Sequence, residues 1–309
     1  MISWGKQNGK RRFKCKNCGI YFTAENKSVG LKNKEIWFKK WSIGNLTYAQ
    51  DSAESGYSVS TLQRYFNVML VKAPKLSYSQ NKEVYLLIDG TYFSNEICLV
   101  VYRDNVFKQT QLYRITDGEH YEELKEDLEN ILNLGIKIGG ITCDGDKSLL
   151  KAIRKVCPKV PVQRCWVHIQ RMCKIWLSAY PKSVAGFELR EIVCKLHFID
   201  SEVKKQYWIK EFLDWFEKHK DFLNEKSYSL ETGRYWYTHK MVRRCFSVIR
   251  KALPNMFTFL QNHKIPKTTN GIESFFGHLK GNLNIHRGLT KSRRKKFIQW
   301  YLFYKNLKS

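Results

Sequence analysis

The sequence predicts an α/β (α+β) fold: a mixed core interrupted by an all-helical insertion and preceded by a small basic N-terminal region. Three observations carry that prediction. Between Glu83 and Trp166 the chain alternates apolar β-rich runs with amphipathic segments in the order β-β-β-α-β-α-β. From about His168 to Phe259 nothing alternates like a strand, and the stretch is rich in Trp, Tyr, Lys and helix formers. Charge is also partitioned, with +10 on residues 1–80, −6 on 81–150, +12 on 151–262 and +10 on 263–309, out of a net +26.

Residues 1–30 hold Cys15-Lys16-Asn17-Cys18-Gly19, a turn that resembles one knuckle of a zinc ribbon. A ribbon needs two knuckles and no Cys or His precedes Cys15, so this is a partial ribbon whose Zn²⁺ is doubtful. Residues 31–72 turn helical. Ile36, Trp37, Trp41 and Ile43 make one apolar stripe, and 46–66 reads as helix, Gly-containing turn, helix. Thr47 and either Ser58 or Ser60 suit N-caps, while Val59, Leu62 and Phe66 would bury the second helix. Ser60, Thr61, Gln63 and Arg64 at its start suit base edges and phosphates, as in a DNA-reading helix-turn-helix. Residues 73–82 are polar and read as a linker.

Residues 83–168 form the first part of the core. Glu83–Phe93, Ile97–Arg103 and Val106–Ile115 suggest an antiparallel meander, followed by a helix over Tyr121–Leu134 closed by Gly135. Glu119–Glu129 reads as a solvated acidic helix face, which accounts for much of the local negative charge. A buried strand from Ile138 ends at Asp144, a helix runs from Leu149 to Cys157 before Pro158, and Val160–Trp166 is the fifth strand. This order matches a ribonuclease H-like core. Residues 169–262 are the helical insertion, and 263–309 supply the C-terminal core helices, including the basic Arg293-Arg294-Lys295-Lys296 run.

Asp89 and Asp144 each end an apolar strand and precede Gly, which sets a carboxylate at a sheet edge where backbone can approach a ligand. A tight turn explains either Asp-Gly pair alone. Glu273, the one acid between Lys264 and Ser309, opens a helix from which it could face both. Three such acids can chelate two Mg²⁺ or Mn²⁺ ions around a phosphodiester. Asp146 falls after the Gly turn and reads as a helix cap. Cys165-x-x-His168 closes the fifth strand. Its spacing would allow zinc with Cys194 and His197, but a buried Cys and a hydrogen-bonded His bracing the strand is the preferred reading.

A net charge of +26 needs a polyanion to neutralise it, and nucleic acid leads. The longest apolar stretches are too short to span a bilayer, and nine Cys, an odd number, suit reduced thiols in a cytoplasm. The residues together resemble a bacterial insertion-sequence transposase of the Mutator-like DDE superfamily. The likeness is carried by Ile88-Asp89-Gly90-Thr91, Cys143-Asp144-Gly145, Gln163 through His168, Thr269 through Phe276, Leu279-Lys280, His286-Arg287-Gly288-Leu289 and Trp300-Tyr301. It implies that Asp89, Asp144 and Glu273 are catalytic metal ligands. It also implies strand cleavage by water, strand transfer by the freed 3′-hydroxyl without a covalent enzyme intermediate, and a homo-oligomer on terminal inverted repeats and target DNA. Arg287, Arg293, Arg294 and Lys295 join the helix-turn-helix as DNA-binding candidates. The alternatives are a ribonuclease H-like nuclease or resolvase, and a non-catalytic helix-turn-helix regulator.

Overall fold

A computed structural model describes residues 1–7, 9–23, 27–76, 83–93 and 97–307. The chain divides into two compact units, one of residues 1–75 with 279–305 and one of 76–278 with 306–309. Most of the proposed linker, 77–82, lies outside the described residues.

In the first unit β1 (Ile2–Gln7), β2 (Lys10–Lys14) and β3 (Tyr21–Thr23) form an antiparallel sheet in sequence order. The Cys15–Gly19 turn joins β2 to β3. It closes through the Gly19 amide on the Cys15 carbonyl at 3.0 Å, with Gly19 at φ +69°. Among the described residues no third ligand joins Cys15 and Cys18. Helices α1 (Lys27–Ile43), α2 (Tyr48–Ser55) and α3 (Val59–Met69) follow. Thr47 caps α2 in a reciprocal box with Gln50, Gly56 ends it at φ +72°, and Ser58 caps α3. The buried face of α1 differs from the expected stripe. Phe38 and Trp41 are fully buried and Ile36 is exposed, because the contact face follows an i, i+3 pair that the neighbouring Trp37 obscures in the sequence.

The second unit is built on β4 (Glu83–Phe93), β5 (Ile97–Asp104) and β6 (Thr110–Thr116) as an antiparallel meander. Then come α4 (Tyr121–Asn133), β7 (Lys137–Cys143), α5 (Lys147–Val156) and β8 (Val162–Arg164). Sheet order is β6-β5-β4-β7-β8, with β7 parallel to β4 and β8 parallel to β7. The third strand starts at Thr110, not Val106. The Asp104 carboxylate accepts the amides of Tyr85 and Phe107 at 2.9 Å each, which turns 105–109 away from the ladder.

The insertion contains α6 (Trp166–Leu177), α7 (Val184–Cys194) and α8 (Glu202–Asn224), which bury a core of their own around Trp208, Phe212 and Trp215. It is not all-helical. Strands β9 (Lys226–Tyr228) and β10 (Tyr235–Tyr237) pair antiparallel before α9 (Lys240–Ala252). Three residues per strand are too few to display a period of two, so the sequence pattern misses them.

Helices α10 (Asn270–Ile285) and α11 (Lys291–Asn306) complete a set of eleven helices among the described residues. From Leu279 to Lys305 they belong to the first unit, where the sequence reading assigned 263–309 to the core. There the His286 ring lies tilted against Trp41 at 4.1 Å between ring centroids, Phe297 packs edge-on against Trp41, and the Trp300 indole donates to the carbonyls of Met69 and Lys72 at 3.0 Å. No helix is long and apolar enough to cross a membrane among the described residues.

Candidate active site

Strand register sets the site. Ile88 pairs with Cys143, and Cys143 with Arg164, across three neighbouring parallel strands. One residue further along each strand stand Asp89, Asp144 and Cys165, so these three occupy one edge of the sheet. The expectation that Asp89 ends its strand is not met: β4 runs on to Phe93, still paired with β5, and Asp89 stands where the parallel pairing with β7 stops, whereas Asp144 does follow the last residue of β7.

Asp89 is 9% exposed. Burial pushes its carboxyl up to about 7, the His168 charge opposes the rise, and the negative charges of Asp144 and Glu273 reinforce it. Asp89 Oδ1 accepts a local hydrogen bond from the Gly90 amide at 3.0 Å. Asp144 Oδ1 accepts the Asp146 amide at 2.9 Å, and Asp146 in turn caps α5 by accepting the amides of Ser148 and Leu149 at 2.7 and 3.1 Å. Glu273 lies in the first turn of α10, where the helix dipole favours an anion. Arg171 donates to its Oε2 at 2.9 Å, while its Oε1 is buried without a hydrogen-bond partner, 3.7 Å from His168 Nδ1.

The start of α10 is tied to the end of β8. Thr269 donates its amide and hydroxyl to Cys165 Sγ at 3.3 and 3.2 Å, and the same hydroxyl lies 3.4 Å from His168 Nδ1. The Trp166 amide donates to the Lys267 carbonyl, and Thr142 to that of Pro266. His168 is raised to about 9, first by its hydrogen bond with Cys165, against burial, and then by the charges of Cys165, Asp89 and Asp144. Although burial of Cys165 acts the other way, hydrogen bonds from His168 and Thr269 hold the thiol below its ordinary range. Cys165, His168 and Glu273 each offer a ligand atom within 4.8 Å of the others. Cys194 and His197 are not part of that group.

A fourth acid escaped the sequence reading. Glu119 precedes α4 and is not on a solvated helix face. Burial, then Asp144, Asp146 and Asp89, push it up to about 7. A Cβ at Gly90 would come within 2.6 Å of Glu119 Oε1, so Gly90 is the gap through which this carboxylate reaches the strand edge. The only sequence signal is that Glu119 lies before the amphipathic period begins at Tyr121.

Of the DNA-binding candidates, Ser60, Gln63 and Arg64 are exposed on α3, and Thr61 is half-buried and engaged with the Ser58 cap. Arg287 and Arg293 are exposed, whereas Arg294 and Lys295 are half-buried.

Residues 100–275, more than half of the chain, match the family described as Transposase IS66 family. That is an insertion-sequence transposase family, and the match does not extend to the Mutator-like superfamily assignment. No curated protein matches the sequence. A chain of the cryo-EM structure of simian T-cell lymphotropic virus intasome in complex with PP2A regulatory subunit B56 gamma is similar at 12% identity. The alignment covers 53% of this chain and 69% of that one, with a TM-score of 0.22.

Proposed function

The chain belongs to the IS66 transposase family, and from that premise we propose that it is a DNA transposase that cuts and joins strands with a ribonuclease H-like core. The observation that carries the reading is the register that sets Asp89, inside β4, beside Asp144 at the end of β7, with Glu273 near enough to be felt at Asp89.

In this reading Asp89, Asp144 and Glu273 hold two Mg²⁺ or Mn²⁺ ions. The donor set supports it. All the ligands are hard oxygens, Glu273 Oε1 is buried and unpartnered, and a divalent cation would offset both the burial and the repulsion from Asp144 and Glu273 that push the Asp89 carboxyl up. When bound, such ions supply an activated water or hydroxyl and stabilise the leaving oxygen. The chain's own groups do the positioning. Arg171 and His168 hold the Glu273 carboxylate in place, Thr269 and Cys165 anchor its helix, and Asp146 stays on α5 as a cap. Glu119, beside the same edge, is a further oxygen donor for this centre. Zn²⁺ at Cys15 and Cys18 has no place in the proposal, since two thiolates leave a tetrahedron half filled.

The remaining assignments follow the same premise. Ser60, Thr61, Gln63 and Arg64 read the element's terminal repeats, while Arg287, Arg293, Arg294 and Lys295 contact phosphates, and the active form is a homo-oligomer on DNA in the cytoplasm. The opposed variants Asp144→Asn and Asp146→Asn test the centre. With DNA carrying the element's ends and Mg²⁺, the first is expected to reduce cleavage to background and the second to keep substantial activity. Equal losses in two folded proteins would show that the wrong acid has been assigned.

A further inference from the structure

Beside the acidic edge lies a cavity of about 510 Å³, in the size range of small-ligand sites, ~300–1,000 Å³. Asp144 and Asp146 form one wall of it. The rest has the opposite character. Arg164, at the end of β8, is 8% exposed, and its Nε and Nη2 both donate to the Asp144 main-chain carbonyl, at 3.2 and 3.0 Å. Among the described residues no carboxylate lies within ion-pair distance of that guanidinium. Gly145, at φ +89°, has no Cβ because the Arg164 guanidinium occupies that space. A buried cation satisfied only by a carbonyl is costly, and a mobile anion is what would offset it.

Lys147, Arg154 and Lys251 bring three more cations to the same cavity from α5 and α9. Leu150, Met172 and Val248 supply apolar lining. Cations converging with an apolar wall describe neither a simple anion site nor a hydrophobic slot. They describe a group with a charged end and a flat, weakly polar body. We propose that this cavity binds one nucleotide of the DNA strand next to the scissile phosphate, its phosphate on Arg164, Arg154, Lys147 and Lys251 and its base against Leu150, Met172 and Val248. The proposal rests on the transposase reading for the identity of the polymer, yet it needs no metal. Its role is to hold a single-stranded segment in register with the acids, since a base can enter such a cavity only when unpaired.

The test uses the full chain in EDTA, where no cleavage occurs, with a fluorescein-labelled octamer of thymidine and an abasic octamer of equal charge. Arg154 and Lys251 are exposed, so Arg154→Ala/Lys251→Ala should fold. Against the oligothymidine, this variant is expected to bind at least about tenfold more weakly at low salt. Its slope of log affinity against log salt should fall by about 1.4, two contacts at ~0.7 each for a single strand. A control that removes Lys174 and Lys210, exposed lysines outside the cavity, should change affinity less than about twofold by the same count. Val248→Trp, which fills the cavity at constant charge, should weaken the thymidine octamer more than the abasic one. A slope in the double variant equal to that of the control, or equal losses of both octamers in Val248→Trp, would overturn the proposal. Failure of Asp144→Asn to abolish cleavage would sink the catalytic reading while leaving these binding results standing.

Discussion

Two buried titratable residues in the first unit act on stability in opposite directions. Asp51 on α2 is fully buried, neither of its carboxylate oxygens has a hydrogen-bond partner among the described residues, and burial followed by Glu54 raises it to about 6. A raised acid is tolerated below its unfolded value and costs stability as pH climbs through the folded value. Asp51→Asn is therefore expected to stabilise the protein by about 2 kcal/mol at pH 7 to 8, with the gain vanishing near pH 4. Thermal melts across that range decide it, and a gain independent of pH would point to some other cause. His286 has the converse problem. Burial against Trp41 and Phe297 pushes it down to about 4 despite its bond to the Trp41 carbonyl. The unfolded chain takes up that proton near 6.5, so stability is present above 6.5 and is lost as pH falls toward 4. Measured in the Asp51→Asn background, His286→Gln should flatten the acid limb of the stability curve. A limb unchanged in slope would assign it elsewhere.

At the scale of elements, α4 is clamped to the sheet through one carboxylate. Asp127, 2% exposed, accepts Arg114 Nη2 at 2.6 Å, Arg114 Nε at 2.9 Å and the Tyr102 hydroxyl at 3.1 Å. Burial raises Asp127 and Arg114 opposes the rise, so the pair offsets a desolvation cost that neither partner would bear alone. Asp127→Ala should lower unfolding free energy by about 1–3 kcal/mol, because it leaves the buried Tyr102 hydroxyl without its acceptor while Arg114 keeps its ion pair with Glu126 at 2.7 Å. A loss under about 0.5 kcal/mol in urea titration would mean that the Tyr102 hydroxyl finds another acceptor. The link from Thr269 to Cys165 has the same character. A helix fastened to a strand end keeps its first-turn acid in place even though Glu273 is 129 positions from Asp144 (273 − 144).

For the whole molecule, the positive charge on three of the four segments predicts that affinity for DNA, its proposed partner, falls steeply with salt. Gln63→Ala with Arg64→Ala should reduce preference for element ends over random DNA more than it reduces total affinity, because phosphates position and base edges specify. Competition binding checks this, and an unchanged preference would move recognition away from α3. Deleting the N-terminal region would be a poor test, since Trp41 and the Met69 and Lys72 carbonyls are partners of His286, Phe297 and Trp300.

By itself the sequence determined the order of strands and helices in the core, the Thr47 and Asp146 caps, and the place of Asp144 at the end of its strand. All of these are written in periodicity, capping residues and apolar runs within about a dozen residues of one another. Tertiary structure decided the rest. The register of β4, β7 and β8 put Asp89, Asp144 and Cys165 on one edge, packing drew Glu119 over Gly90, and the space left at Gly145 admitted the Arg164 guanidinium. It also put Phe38 in the core in place of Ile36 and gave residues 279–305 to the N-terminal helices. Each of these depends on pairing between residues distant in sequence, where local propensity carries no information and only burial and closure of the chain select the partner.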